Sequence, residues 1–241
     1  NGSKMWTSDA TLCDYIFVLV RTSPEKPKHE GISLMLVDMH QPGVTVSPIQ
    51  LISGASPFCE THFSDAVVPL EDVIGGIDRG WTVGKRLLQF ERSTHAGINI
   101  SGSQGGRSEK SQMPALVARY VSSQAGQLSD PALRRWLTEF EMNSHAQRIT
   151  QRRAIEELSS RAPGFTSSAV KLTNALNIQD GDELLVAAMG SQGLRWDPET
   201  ADADELAALQ KWLYQKSLTI AGGTKEVQLN IIAKRVLGLP D

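Results

Sequence analysis

Ala66-Val-Val-Pro69 and, just beyond it, Gly80-Trp81-Thr-Val-Gly-Lys-Arg-Leu87-Leu88-Gln-Phe90-Glu91-Arg92 mark the place where the hydrophobic period of this chain changes. Upstream, Asp14-Tyr-Ile-Phe-Val-Leu-Val20, Ile32-Ser-Leu-Met-Leu-Val37 and Val44-Thr-Val46 are short β-prone runs, separated by turn-rich stretches at Thr22 to Gly31 and Gln41-Pro42-Gly43. Glu60-Thr-His-Phe63 is a further strand that runs into Ala66 to Pro69, where the proline ends any central strand. The first residues, Asn1-Gly2-Ser3-Lys4, read as a turn leading into an apolar stretch, with neither an initiator Met nor a signal peptide, as in a chain that begins in mid-protein.

Downstream of Gly80, apolar residues recur at helical intervals, and the spacing predicts five helices. Asp130-Pro131 is an N-cap followed by proline at the first helical position, with Leu133, Leu137 and Phe140 on one face. After Pro163-Gly164 a helix carries Val170, Leu172, Leu176, Leu184 and Ala188, bends near Asp180-Gly181, and stops at Met189-Gly190-Ser191-Gln192-Gly193. An acidic segment at Ala201 to Leu209 starts the next, and the last begins at Thr224 and stops at Leu237-Gly238-Leu-Pro240. The expectation is an α+β chain: a small antiparallel β-barrel or sandwich over residues 1–76, then an up-and-down helical bundle over 77–241.

Composition narrows the function. The 241 residues carry 24 Lys+Arg against 27 Asp+Glu with no basic run, which gives no electrostatic footprint for nucleic acid or an anionic membrane surface. The apolar runs Tyr15 to Val20 and Ile32 to Val37 fall far short of the roughly 20 residues that span a bilayer. Cys13 and Cys59 make no disulfide framework and have no partner at zinc spacing, which points to a reducing, intracellular compartment. The histidines His29, His40, His62, His95 and His145 are scattered, so no metal site is expected. Neither Gly-x-Ser-x-Gly nor a P-loop is present.

Two glycine junctions remain, Gly190 to Gly193 and Gly222-Gly223-Thr224. Glycines before a helix let a phosphate or carboxylate approach the backbone N–H groups, although ordinary caps and turns produce the same pattern. Glu91 lies in a helix among Leu87, Leu88 and Phe90. A carboxylate facing such apolar neighbours gains basicity, whereas an exposed one pairs with Arg92 or His95.

Taken in order, several segments resemble the middle β domain and C-terminal helical domain of the acyl-CoA dehydrogenases. They are Asn1-Gly-Ser-Lys-Met-Trp-Thr-Ser8, Phe63-Ser-Asp-Ala-Val-Val-Pro69, Gly80-Trp81 leading to Phe90-Glu-Arg92, Lys171-Leu172, Gly222-Gly-Thr-Lys-Glu-Val-Gln228 and Ala233-Lys-Arg-Val-Leu-Gly-Leu-Pro240. The resemblance implies that a helical N-terminal domain and the first β strands of the family lie upstream of Asn1.

What it implies further is an FAD enzyme that removes the α-proton of an acyl-CoA thioester with a carboxylate while the β-hydrogen leaves as hydride to the flavin. Many members carry that carboxylate immediately before the Gly-Thr of the last loop, where this chain has Gly222, which keeps a backbone N–H for the thioester carbonyl but offers no base. A second group carries it on the first long C-terminal helix, directly before an Arg. That pattern makes Glu91 the expected base and Arg92 a substrate contact.

By the same resemblance Trp6 and Ser8 lie beside the isoalloxazine, and Thr224 and Glu226 contact the adenosine half of FAD. Glu226 replaces the commoner Gln, so it can accept but not donate. Gly190 and Gly193 admit the FAD of a neighbouring subunit. Arg134, in Asp130-Pro-Ala-Leu-Arg134, stands in for the pyrophosphate motif that is missing after Ala115.

Implied partners are the acyl-CoA substrate, an electron-transfer flavoprotein and further subunits in a homo- or hetero-oligomer, usually a dimer of dimers. The implied location is the cytoplasm, or the mitochondrial matrix in a eukaryote. The alternatives are a non-catalytic subunit that completes a partner's FAD site, and a related flavoenzyme acting without a CoA thioester.

Overall fold

The computed structural model describes residues 1–95, 111–124, 126–159 and 166–240 and, within them, all side chains but those of 89, 90, 92–95, 158 and 159. The chain forms two compact units, Asn1–Phe90 and Glu91–Asp241, with the helix α1 (Gly80–His95) running from one into the other.

In the first unit, β1 (Gly2–Ser8), β5 (Phe58–Phe63) and β4 (Val44–Ile49) form one antiparallel sheet in the order β1-β5-β4. A second sheet has the order β2-β3-β6, from Tyr15–Arg21, Ile32–Asp38 and Val73–Ile74. Ala10, Met39 and Cys59 make a buried cluster with Ile16 and Val46 packed against it, so residues of both sheets share one apolar interior. Pro48, which has no N–H to donate, sits in β4 at a sheet edge. These sheets match the expected small antiparallel β architecture.

Two expectations need correction here. Asn1 to Lys4 is not a turn: from Gly2 the chain is already in a strand that pairs along β5 from Gly2↔Phe63 to Ser8↔Phe58. Ala66 to Pro69 is not a strand: Asp65 adopts a left-handed φ of 53°, which breaks the extended path, and the Val67 N–H donates to the Gln41 side-chain oxygen at 2.8 Å instead of to a ladder. In this unit the sheet structure ends later, at β6.

A polar knot fixes the start of α1. The Asp78 carboxylate accepts from the Thr22 hydroxyl at 2.6 Å, the Ser23 hydroxyl at 2.8 Å and the Lys26 ammonium at 2.6 Å, and the Asp78 N–H donates to the Ser33 hydroxyl oxygen at 2.8 Å. Those three donors hold its pKa down to about 2, the Lys26 contact first. Gly80 follows, where a Cβ would lie 2.2 Å from the Ser33 carbonyl carbon, so only glycine lets the helix start so close to β3. His29 stacks on Trp81 with ring centroids 4.3 Å apart.

The second unit is a helical bundle around α4 (Thr166–Met189), which packs against α3 (Pro131–Ser159), α5 (Ala203–Gln215) and α6 (Lys225–Ile231). The Asp130 carboxylate caps α3 by accepting from the N–H groups of Ala132 and Leu133 at 2.8 and 3.0 Å, and Asp202 does the same for α5. The core joins Val117, Phe140, Leu184 and Ala188, with Leu133 and Leu137 on the face their spacing predicts. The helix α4 is continuous through Asp180-Gly181, where the glycine makes room for the Phe140 ring. The five expected helices are joined by a short α2 (Met113–Val117) and a hairpin of β7 (Ser123–Gln124) and β8 (Gln127–Leu128), both too short to leave a periodic signal.

Candidate functional site

Among the residues singled out from sequence, Trp6 has the most unusual backbone. The β1–β5 register shifts between Lys4 and Thr7, and inside this bulge Trp6 adopts φ 65°, a conformation that costs a non-glycine residue about 1–3 kcal/mol. The bulge turns the indole outward, 59% exposed, in a T-shaped contact with Phe58 at 6.1 Å between centroids and 80° between planes. Ser8, also exposed, ends the same strand. An exposed indole with a hydroxyl two residues on fits a flat aromatic group that carries hydrogen-bonding edges.

The Gly222-Gly223-Thr224 loop is held from beneath. Gly222 and Gly223 take φ of 64° and 100°. The Gly222 carbonyl accepts from the Gln228 amide at 3.0 Å, and the Gly223 carbonyl accepts from the Lys171 ammonium. Lys171 is 3% exposed and Gln228 1%. The φ of Gly223 requires glycine, and a Cβ there would come 2.6 Å from the Gln228 amide nitrogen, so it would push the Gln228 side chain off the loop.

Thr224 caps α6, its hydroxyl oxygen accepting from the Val227 N–H at 3.3 Å. The exposed Glu226 carboxylate is held below the usual carboxylate range by its own N–H and by the Thr224 hydroxyl, and therefore presents an anion beside the loop. Burial pushes the Lys171 pKa down. Sequence reading assigns no role to Lys171 or Gln228 beyond their places in motifs; a lysine between the core residues Val170 and Leu172 is the signal that could have found the first.

Gly190 starts the turn after α4 with φ 57° and open space around it, while Gly193 is buried, and a Cβ there would lie only 2.9 Å from the Val186 carbonyl oxygen. Arg134 is exposed on α3 and donates to the Leu128 carbonyl at 3.1 Å and the Gln127 side chain at 3.4 Å, which steers its guanidinium along the β7–β8 hairpin. Glu91 is half-buried on α1. The Arg92 and His95 side chains lie outside the described residues.

No group of His, Cys, Asp and Glu able to hold a metal occurs among the described residues, and no described helix is long and apolar enough to cross a membrane. A groove of about 610 Å³ between α3 and α4 is lined by Trp136, Asn143, Gln147, Thr150, Thr173 and Asn177. A cavity of about 540 Å³ beside the Asp78 knot is lined by Lys26, His29, Arg79 and Thr82, a feature that sequence reading missed.

Residues 1–66 match the acyl-CoA dehydrogenase middle domain, and residues 78–237 match the acyl-CoA dehydrogenase C-terminal domain. The chain is 35% identical over 241 residues to acyl-CoA dehydrogenase IpdE1 of Mycobacterium tuberculosis, covering all of this chain and 59% of that protein. It is 32% identical over 240 residues to acyl-CoA dehydrogenase FadE34 of the same organism, covering 99% of this chain and 31% of that protein. Among solved structures, the Tcur3481-Tcur3483 steroid ACAD superposes with a TM-score of 0.81 at 29% identity, over all of this chain and 60% of that one. The chain thus spans less than two thirds of the length of each of these relatives. With its bulged β domain followed by a capped helical bundle, and with family matches along almost its whole length, the chain belongs to the acyl-CoA dehydrogenase family.

Proposed function

We propose that this chain is the middle and C-terminal part of an FAD-dependent dehydrogenase that oxidises the α,β bond of an acyl-CoA thioester, with Glu91 as the base. One observation carries the reading: Gly222 occupies the place where many members hold a carboxylate, and its φ of 64° suits glycine. The loop is therefore built without a base, and the half-buried Glu91, directly before Arg92, supplies the alternative.

In this reading the Glu91 carboxylate takes the α-proton. The α-carbon is too weak an acid for a carboxylate alone, so the Gly222 N–H polarises the thioester carbonyl and Arg92 contacts the substrate. FAD, when bound, would supply the acceptor for the β-hydrogen and its electron pair. Trp6 and Ser8 would hold its ring system, Arg134 its pyrophosphate, and Thr224 and Glu226 its adenosine half. Gly190 and Gly193 leave room for the FAD of a neighbouring subunit. An electron-transfer flavoprotein would be the partner that takes up the electrons.

A second reading is a non-catalytic subunit that completes a partner's FAD site. It is favoured by the vacant base at Gly222 and by the two-component name of the similar steroid ACAD. Anaerobic titration of the full-length protein with acyl-CoAs, a steroid-derived thioester among them, separates the two. In the first reading one class bleaches the flavin and E91Q abolishes bleaching while FAD stays bound. A flavin that no acyl-CoA bleaches, or FAD bound only with a partner chain, supports the second.

A further inference from the structure

The two carbonyls of the Gly222-Gly223-Thr224 loop are both gripped from the protein interior, one by the Gln228 amide and the other by the Lys171 ammonium. The peptide bonds of the loop are trans, so each carbonyl points opposite to the N–H that follows it in the same peptide. Holding the Gly222 oxygen inward turns the Gly223 N–H outward, and holding the Gly223 oxygen inward turns the Thr224 N–H outward. Neither N–H meets a protein acceptor among the described residues.

The Lys171 ammonium is an unusual choice for this task. Its partners among the described residues are the Gly223 carbonyl and the Leu218 carbonyl at 3.3 Å, with no carboxylate to neutralise it. A buried cation without a counter-ion is costly, and a neutral donor would satisfy the same carbonyl at lower cost. What the charge adds is polarisation: a cation on the Gly223 oxygen draws electron density through the peptide and makes the Thr224 N–H a stronger donor.

We propose that Lys171 is a positioning residue that, through the Gly223–Thr224 peptide, aims and strengthens a backbone donor toward an oxygen acceptor on the bound ligand. That acceptor is either the thioester carbonyl or an oxygen of FAD. The inference rests on the reading of this loop as the acyl-CoA and FAD loop, and it goes beyond that reading by giving a role to a residue that touches neither.

The test uses the full-length protein with K171M, which keeps side-chain length but removes charge and donor, and K171Q, which keeps a neutral donor. Three constants are measured for each: FAD dissociation, binding of a non-reducible acyl-CoA analogue that retains the carbonyl, and binding of the matching CoA thioether that lacks it. Circular dichroism and melting establish that each variant is folded; if K171M does not fold, K171Q alone is read.

If the acceptor is the thioester carbonyl, K171M weakens the carbonyl analogue about tenfold and leaves the thioether unchanged, with K171Q in between. If the acceptor belongs to FAD, the FAD constant weakens about tenfold instead. Variants that only melt earlier, with all three constants unchanged, overturn the proposal. A wild-type protein that binds FAD but no acyl-CoA defeats the reading of the substrate while the FAD constants still decide the role of Lys171; one that binds neither overturns both.

Discussion

Gly181, in the middle of α4, sits against the ring of Phe140 on α3, so closely that a Cβ would stand 2.6 Å from its Cε2 and 2.9 Å from its Cζ. Phe140 is itself buried in the main core cluster, so the ring has little space to move away. Alanine at 181 recovers about 1 kcal/mol of helix propensity but overpacks the contact by about 1–3 kcal/mol. We expect G181A to lower the stability of the full-length protein by roughly 1 kcal/mol net, and F140L in the same chain to return most of that loss. Thermal melting of the single and double variants measures both.

The glycines of α1 separate two kinds of close contact. At Gly80 the obstruction is the Ser33–Leu34 backbone, at 2.2 and 2.3 Å from the Cβ position, which cannot rotate aside. At Gly84 it is the Leu19 Cδ1 at 3.3 Å, the end of a side chain that can. G80A should therefore cost about 3 kcal/mol and loosen the Asp78 knot, while G84A should be near neutral, since about 1 kcal/mol of helix propensity offsets the Leu19 adjustment. Denaturant midpoints of the two variants test the contrast.

The difference between these glycines also shows what is legible in a sequence. The switch of period near Gly80, the Asp130-Pro131 cap and the Leu133, Leu137 and Phe140 face are all readable, because they follow from local chemistry. The close approach of Gly181 to Phe140 is not legible, since a glycine that makes room for a distant ring looks the same in sequence as one that bends a helix. The strand Gly2–Ser8 escapes notice because its pairing with β5 supplies what its mixed composition does not. The glycine loops of the site are visible, but the contact of Lys171 beneath one of them is not, because nothing local brings residues 52 positions apart together.

Asp78 gives the β unit a specific response to acid. Its pKa in the folded protein is about 2, below the ordinary 3.8, so the contribution of its hydrogen bonds and of Lys26 is fully present above the higher value and is lost as pH falls toward the lower. D78N removes the charge that is being titrated. The difference in melting temperature between wild type and D78N should be greatest at neutral pH and shrink between about pH 4 and pH 2. A difference that stays constant across that window would mean that the knot works through shape and not through the charge of Asp78.

Trp6 sets local strain against a ligand-facing role. Its left-handed backbone costs about 1–3 kcal/mol, and its edge contact with Phe58 returns about 0.5–1.5 kcal/mol. Glycine relieves the first and forfeits the second, so W6G should leave the melting temperature of the FAD-free protein almost unchanged or slightly raised. Phenylalanine keeps both the strain and an aromatic face. If the bulge exists to present that face to the flavin, W6G should weaken FAD binding about tenfold or more, and W6F should retain most of it. Fluorescence titration of the FAD-free protein with FAD reads the affinity, and melting of the same samples reads the stability. Loss of stability in W6G without loss of FAD affinity would assign the bulge to the sheet alone. Loss of affinity at constant stability is the signature of strain that is kept for binding.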